Sequence, residues 1–128
     1  MKIKDLSGAH TLFYLASPYS KHPDGIDGAF REISEIAARV MRHGVPIFCP
    51  ISHAHPIAIY GGLDPLSHDI WLPADEHLMR VCGAMLIAKM TGWDTSYGVS
   101  EEIKHFRQAK KLIYLLDPKT LAVEAYYE

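Results

Sequence analysis

The stretch from Thr91 to Glu102 is the part of this sequence best suited to chemistry. Its order, TGWDTSYGVSEE, places small, polar and aromatic residues between an apolar run and an amphipathic one that starts with carboxylates. The first turn of a helix offers unpaired backbone N–H groups and a partial positive charge, which hold an anionic ligand or keep a nearby carboxylate ionised. We therefore expect a ligand-binding site at this loop and helix start.

Two carboxylates are the candidate reactive groups. Glu102 falls in the first turns of the predicted helix, on the side of Gly98, and the helix dipole there suits an ionised nucleophile or general base. Asp75 is the other carboxylate that can reach the same cleft. Two carboxyl groups flanking a sugar are the minimum apparatus for breaking a glycosidic bond, because one attacks the anomeric carbon while the other assists the leaving group. Spacing alone leaves open the plainer role of both acids as exposed helix residues.

Hydroxyl and aromatic side chains near two predicted strand ends are candidates for binding the ligand. Residues 14–21 end an apolar run in hydroxyls, so that Ser17 or Ser20 can approach a phosphate or a sugar, although a simple turn explains them equally well. The segment has neither G-x-G-x-x-G nor a Walker lysine, which excludes the standard dinucleotide and P-loop motifs. Trp93 and Tyr97 flank the second turn, where one of them either stacks on a base or packs over the cleft rim.

The histidines raise the alternative of a metal site. No H-E-x-x-H or comparable spacing appears among the eight of them. We expect no metal, and instead a packing or substrate hydrogen-bonding role for His53 or His55. A metal site would require at least three of a group of side chains to converge: His53, His55, His68, Asp69 and His77.

The elements that must position these residues alternate between strand and helix. Apolar runs predict strands over 11–16, 45–49, 84–88 and 111–116, and three- and four-residue periodicity predicts helices over 25–43, 70–81 and 97–109. The segment 50–68 contains three prolines and a Gly-Gly pair, so we expect an irregular functional loop with a short helix around 54–60. The tail after residue 118 is weakly patterned.

The strands are apolar throughout instead of alternating, which is typical of strands covered by helices on both faces. This pattern predicts one α/β domain over residues 1–128, a flavodoxin/Rossmann-like three-layer α/β/α fold with a mainly parallel sheet of four to five strands. Ligands of such sheets bind beyond the carboxyl ends of the strands. The segments 17–21, 50–55 and 91–97 should therefore converge on one cleft.

Composition narrows the functional class. The chain has 128 residues, 48% of them hydrophobic, and a formal net charge of −2 with no basic stripe, so we expect a small-molecule ligand and no nucleic-acid polymer. Two cysteines, Cys49 and Cys82, are too few for a disulfide framework. No signal-peptide pattern and no membrane-length apolar run is present, so we expect a cytoplasmic protein. We also expect that it needs no cofactor.

Three motifs together carry a resemblance to a known superfamily. FYLASPYS at 13–20, Asp75 and SYGVSEE at 96–102 resemble the nucleoside 2-deoxyribosyltransferase-like superfamily, which includes deoxynucleoside 5′-monophosphate N-glycosidases. Over residues 11–116 the chain looks most like the DUF1937 family, through its A-S-P-Y-S start, SHAHP at 52–56 and a G-W-x-x-S-x-G-x-x-x-E block. The resemblance implies cleavage or transfer of an N-glycosidic bond in a (deoxy)nucleoside or its 5′-monophosphate.

The resemblance also implies roles for individual residues. Glu102 matches the glutamate that attacks C1′ of the sugar, Asp75 the aspartate that contacts the sugar and assists the leaving group, and Tyr14 the tyrosine that positions the nucleophile. Ser96 and Gly98 match the pair that holds the 5′-phosphate. The remaining expected substrate contacts are Ser17, Tyr19, Ser20, His53 and Trp93.

The first loop departs from the family pattern, because it lacks the glycine and the arginine found in the monophosphate glycosidases. Related enzymes are commonly dimers or larger, which implies a homodimer or higher homo-oligomer here. Two other functions stay open from the sequence. One is a non-catalytic nucleotide-binding module that uses the same cleft, and the other is a metal-dependent hydrolase built on the histidines.

Overall fold

Five strands form a single sheet in the computed structural model, which describes residues 1–127. The strand order is β2-β1-β3-β4-β5, the first four strands are parallel, and β5 runs antiparallel to β4. This confirms the expected three-layer α/β/α class with a mainly parallel sheet. The strands are β1 (Phe13–Ala16), β2 (Ile47–Phe48), β3 (Ala84–Ala88), β4 (Leu112–Leu116) and β5 (Val123–Ala125).

Helices cover both faces of this sheet. They are α1 (Gly25–Met41), α2 (Pro50–Gly61), α3 (His68–Val81) and α4 (Tyr97–Gln108), with short 3-10 turns at Ile3–Leu6 and Trp93–Thr95. Among residues 1–127, none of the helices has the length and apolarity needed to cross a membrane.

Strand β1 shows how the two faces are divided. Successive residues of a strand point to opposite faces, so Phe13 and Leu15 pack with α1 while Tyr14 and Ala16 pack with residues of α3 and α4. All four residues of β1 are buried. A ligand at the carboxyl end of β1 therefore meets α1 from one side of the sheet and α3 with α4 from the other.

The segment 50–68 is more regular than its composition predicts. Pro50 occupies the first turn of α2, where the missing N–H would have had no intrahelical partner, and Gly62 ends the helix in the left-handed conformation at φ 71°. Pro56 lies inside the helix and removes one hydrogen bond without ending it. The short helix predicted around 54–60 is therefore present but begins earlier, at Pro50, and α3 begins at His68, two residues before the predicted start.

The weakly patterned tail is ordered by pairing with the chain start. Val123 in β5 donates its N–H to the carbonyl of Met1, and the Met1 amino group donates to the Val123 carbonyl at 2.7 Å. Ile3 and Leu6 then enter the core beside β1. These contacts join residues that are far apart in the chain, so a local sequence pattern cannot predict them.

Lys111 fixes the C-terminal end of α3, the helix that carries Asp75. Its ammonium group donates to the carbonyls of Met79, Arg80 and Cys82 at 3.0, 3.0 and 2.7 Å. The last carbonyls of a helix lack intrahelical donors and carry partial negative charge, so a cation satisfies both needs. The side chain thereby joins α3 to the start of β4.

Replacing Lys111 with Met should keep the packing of the alkyl stem and lose the three charged hydrogen bonds. We expect the free energy of unfolding to fall by about 1–3 kcal/mol, measured by urea denaturation. Lys119→Met is the control, because Lys119 is exposed and its backbone atoms make its hydrogen bonds. Equal losses in the two variants would contradict this role for Lys111.

Candidate active site

A pocket opens where β1, β2 and β3 end. The three segments that follow these strands converge on it, as the sequence analysis predicts for a doubly wound sheet. The pocket is lined by Ser17, Tyr19 and Ser20 after β1, by Pro50, Ile51, Ala54, His55 and Ala58 of α2, by Pro65, Leu66, His68, Trp71, Leu72 and Asp75 around α3, and by Ser96, Gly98 and Glu102 of α4.

Glu102 and Tyr14 meet at the floor of the site. Tyr14 points from β1 toward α4 and donates its hydroxyl to Oε2 of Glu102. Tyr14 is fully buried and Glu102 is 8% exposed. The alternative that Glu102 is an exposed helix residue is therefore excluded, because Val99, Glu102 and Phe106 share the helix face that packs on the sheet.

Burial changes the charge expected on the two acids. It raises the pKa of Glu102 to about 8, with Asp75 acting in the same direction and the Tyr14 hydrogen bond opposing it. Burial also raises the pKa of Asp75 to about 6. The helix dipole does not keep Glu102 ionised at neutral pH, since loss of hydration outweighs it. Between these two values the pair of carboxyl groups holds about one proton.

The same environment keeps Tyr14 protonated. Burial and the neighbouring Glu102 carboxyl group both raise the pKa of this tyrosine far above its ordinary value. Tyr14 is thus a permanent hydrogen-bond donor to the carboxyl group. Its donated bond favours the ionised form of Glu102 and holds the side chain in one orientation.

Ser17 offers a polar atom with no protein partner. It lines the pocket and is 6% exposed, and among residues 1–127 its Oγ is one of two buried side-chain atoms without a hydrogen bond. A buried hydroxyl without a partner costs free energy unless a ligand or water satisfies it. Its position supports the contact with a ligand that the sequence predicts.

Ser96 and Gly98 stand where α4 begins. Ser96 is the N-cap residue, and its Oγ accepts a hydrogen bond from the Val99 N–H at 3.3 Å. Gly98 lines the pocket, and a Cβ there would meet only Ser96 Oγ, at 4.0 Å. This end of the pocket therefore exposes backbone with little side-chain cover, and Ser20 lies exposed at the rim.

Two of the predicted contacts fall outside the pocket. His53 is exposed and lies against Phe48 with ring centroids 5.7 Å apart, while His55 lines the pocket instead. Residues two apart on a helix point in nearly opposite directions, about 200° apart, so the helical form of α2 separates these histidines. Trp93 lies in a different groove, where its ring packs edge-on against Tyr126 at 5.9 Å.

His55 belongs to a contact chain that the sequence does not reveal. Its Nδ1 is in hydrogen-bonding contact with the Tyr19 hydroxyl, its ring stacks on Phe30 at 4.4 Å, and Asp27 Oδ1 lies 3.8 Å from Nε2. These residues come from the loop after β1, from α1 and from α2. Only the tertiary packing of α1 against α2 brings them together.

The histidines do not assemble into a metal site. Within residues 1–127, no three His, Cys, Asp or Glu side chains are grouped so that they could hold a metal ion. His55 is committed to Tyr19 and Phe30, and the ring of His68 packs beside Tyr97 at 4.8 Å. The convergence required for a histidine-based hydrolase is absent from this part of the chain.

Comparison with known families agrees with the extent of this site. The profile of a family described as a domain of unknown function, DUF1937, matches residues 11–117. No curated protein matches the chain. The matched region runs from the start of β1 to the end of β4 and includes every residue that lines the pocket.

The raised pKa of Glu102 predicts a stability that depends on pH. Glu102 binds its proton more tightly in the folded protein, where its pKa is about 8, than in the unfolded chain, where the ordinary pKa of 4.5 applies. The free energy of unfolding therefore falls as the pH rises from 4.5 through about 8. Glu102→Gln removes this dependence. We expect the variant to be more stable than the wild type at pH 9, by on the order of a few kcal/mol, and the difference to shrink toward pH 5.

Urea unfolding of both proteins between pH 5 and pH 9 measures this difference. Asp75 titrates in both proteins, so the difference between the two curves reports Glu102 together with its coupling to Asp75. A difference that does not change with pH would show that Glu102 is not desolvated as described.

Proposed function

The chain belongs to the DUF1937 family, and we propose that it cleaves or transfers the N-glycosidic bond of a (deoxy)nucleoside or its 5′-monophosphate. One observation carries the proposal. Glu102 and Asp75 line the same pocket and interact electrostatically, and the Tyr14 hydroxyl donates a hydrogen bond to Glu102. A pair of carboxyl groups with separated pKa values is the arrangement that glycosidic bond cleavage uses.

The proposed reaction has two steps. The ionised carboxylate of Glu102 attacks C1′ as the C1′–N bond breaks, and the electron pair leaves with the base nitrogen, which takes a proton from Asp75. The product is a glycosyl ester on Glu102. In the second step the Asp75 carboxylate removes a proton from water, whose oxygen displaces Glu102 from C1′; an acceptor base in place of water gives transfer.

The electrostatics favour an enzyme over a binding module. A module that only holds a nucleotide has no use for a buried, desolvated glutamate, whose ionisation destabilises the fold. Such a group is characteristic of catalytic sites, where binding and neighbours tune a pKa to its task. No metal ion is required for either step.

The charges around the pocket favour a nucleoside over its monophosphate. No lysine or arginine is among the pocket-lining residues of the described chain, whereas two acids are. A phosphate dianion would have to rely on the start of α4 around Ser96 and Gly98. We therefore place the unphosphorylated nucleoside first among the substrates and its 5′-monophosphate second.

Self-association is part of the proposal. Tyr60 at the end of α2 is 90% exposed, and other large apolar side chains are exposed nearby in the chain. Apolar surface of this kind is typical of protein–protein contacts. The exposed apolar residues between α2 and the start of α3 are Ile57, Ile59, Tyr60, Leu63, Leu66 and Ile70. A homodimer or larger homo-oligomer covers this surface.

A reducing location also fits the chain. Cys49 and Cys82 are both free and buried, and burial raises the pKa of each thiol. Buried, protonated thiols are inert and persist where disulfides do not form. We propose the cytoplasm on this basis.

Release of free base tests the function directly. Purified protein is incubated with deoxynucleosides, ribonucleosides and their 5′-monophosphates, with and without an acceptor base. We expect Glu102→Gln to lower kcat by at least about 10³-fold, because the amide of glutamine is too weak a nucleophile to displace the base from C1′. Glu101→Gln is the matched control, since Glu101 is the preceding residue and pairs with Lys104 instead.

Unchanged turnover in Glu102→Gln would remove Glu102 from the mechanism. Failure of the wild-type protein to release base from any compound in the panel would remove the proposed function itself. Folding of the variant is checked by its unfolding midpoint, which should not fall.

A bell-shaped pH profile of kcat/KM should follow from the acid pair. The singly protonated pair prevails between about 6 and about 8, and most of it carries the proton on Glu102, which has the higher pKa. The reactive form is the less populated arrangement, with the proton on Asp75 and Glu102 ionised, and its amount follows the same pH range. We expect limbs near these values and a maximum between them. Asp75→Asn removes the group that titrates near 6 and a negative neighbour of Glu102, so the acid limb should move up to a pH between about 6 and about 8. The basic limb should disappear and kcat should fall; an unmoved acid limb would contradict the coupling.

A further inference from the structure

Tyr19 reaches the pocket as the last member of a chain of contacts that begins at the protein surface. Asp27 on α1 faces Nε2 of His55 with an Oδ1 to Nε2 distance of 3.8 Å, and Nδ1 of the same ring contacts the Tyr19 hydroxyl. Phe30 stacks on the imidazole at 4.4 Å and 21°. His55 is 6% exposed, so its ring is fixed by its neighbours.

The charges in this chain decide where its protons lie. Arg31 donates a hydrogen bond to Asp27 at 2.8 Å and lowers the pKa of that carboxyl group, so Asp27 is ionised. Burial lowers the pKa of His55, and Asp27 only partly opposes this, so the imidazole is neutral and carries one proton. A carboxylate beside Nε2 favours that proton on Nε2. Nδ1 is then an acceptor.

The hydroxyl of Tyr19 must therefore supply the proton in its contact with His55. Burial raises the pKa of Tyr19 to about 12, so the phenol keeps its proton at neutral pH. With that proton directed to Nδ1, only lone pairs of the Tyr19 oxygen are left for the pocket. The oxygen can accept a hydrogen bond from a ligand and cannot donate one.

We propose that Tyr19, oriented by His55 and Asp27, is a specificity-determining residue that accepts a hydrogen bond from an N–H or O–H group of the substrate. The nucleoside identity of that substrate depends on the proposed function. Two parts of a nucleoside carry such donors, namely the exocyclic amino group of the base and the hydroxyl groups of the sugar. A base that presents only a carbonyl oxygen at this position is disfavoured.

This selection comes from the opposite side of the pocket to the chemistry. Tyr19 and His55 pack with α1, whereas Asp75 and Glu102 lie on α3 and α4, which cover the other face of the sheet. A substrate in the pocket would therefore be recognised by Tyr19 on one side and attacked by Glu102 on the other. Substitutions at Tyr19 should therefore change substrate choice without changing the pKa values of the acid pair.

Substrate analogues combined with Tyr19→Phe test the proposal. The probes are 2′-deoxyadenosine and three analogues that lack the 6-amino group, the 3′-hydroxyl or the 5′-hydroxyl. With the parent compound, loss of the Tyr19 oxygen should lower kcat/KM by about three- to tenfold. With the analogue that lacks the bonded donor, the wild type should already be slow and the variant should lose nothing further.

The analogue that abolishes the effect identifies the donor as base or sugar. Equal losses with the parent and all three analogues would overturn the proposal, because Tyr19 would then act through packing alone. If deoxycytidine is the preferred substrate, the same test uses deoxycytidine and its analogues that lack the exocyclic amino group, the 3′-hydroxyl or the 5′-hydroxyl. If wild type releases base from none of them, the same comparison is made on binding to Glu102→Gln by calorimetry, and absence of any binding there counts against both the function and Tyr19.

The orienting role of His55 and Asp27 has its own signature. His55→Phe keeps the stack on Phe30 and frees the Tyr19 hydroxyl to donate, so discrimination between an amino group and a carbonyl on the base should weaken. Asp27→Asn should weaken it in the same direction without lowering the unfolding midpoint, since Asp27 is exposed. Asp24→Asn is the control at the same helix start, because Asp24 is an exposed N-cap residue whose side chain makes no capping hydrogen bond.

Nitrogen NMR of the histidine rings decides the proton positions whatever the substrate is. We expect His55 at neutral pH to carry its proton on Nε2, with Nδ1 unprotonated and hydrogen-bonded, and this preference to diminish in Asp27→Asn. A proton found on Nδ1 of the wild type would reverse the direction of the Tyr19 hydrogen bond and overturn the inference.

Discussion

The hydrogen bond from Tyr14 to Glu102 is the constraint on which the site depends. It joins the interior strand β1 to helix α4 and leaves a carboxyl group buried beneath the pocket. Leucine at position 102 would fill the same helix face at lower cost, since burying an acid opposes its ionisation. Tyr14 cannot remove that cost, but it supplies one partner and fixes the direction of the carboxyl group. The remaining oxygen is then free to face the ligand.

The position of Asp75 follows from the same constraint. Because Glu102 is desolvated, a second negative charge nearby raises its pKa further, and the two acids hold a proton in common near neutral pH. Lys111 donates hydrogen bonds to three backbone carbonyls at the end of α3. These bonds fix the helix and so limit how far Asp75 can move away from Glu102. The packing of α3 and α4 on the sheet thus keeps the two carboxyl groups close together despite their mutual repulsion.

Much of the architecture could be predicted from local pattern, and the exceptions have physical causes. The strand 84–88 matches β3 in full because every residue in it is apolar and buried. Helix α2 was predicted only around 54–60 because the prolines of this segment suggest an irregular chain, although Pro50 needs no partner for a missing N–H and Pro56 removes only one hydrogen bond. His53 and His55 could not be told apart in a segment expected to be mostly loop, whereas the helix turns His55 into the pocket and leaves His53 outside it.

Burial is what local pattern does not contain. Position 102 is three residues after Val99 and four before Phe106, which places it on the apolar face, but only packing on the sheet converts that placement into desolvation. The Tyr19 and His55 contact is likewise invisible until α1 lies against α2. The two features have opposite electrostatic character, because Glu102 holds its proton against its ordinary tendency while His55 gives its second proton up. A pocket bounded by a shared acidic proton on one side and by an accepting tyrosine oxygen on the other suits an uncharged ligand that donates hydrogen bonds, and the proposed nucleoside is such a ligand.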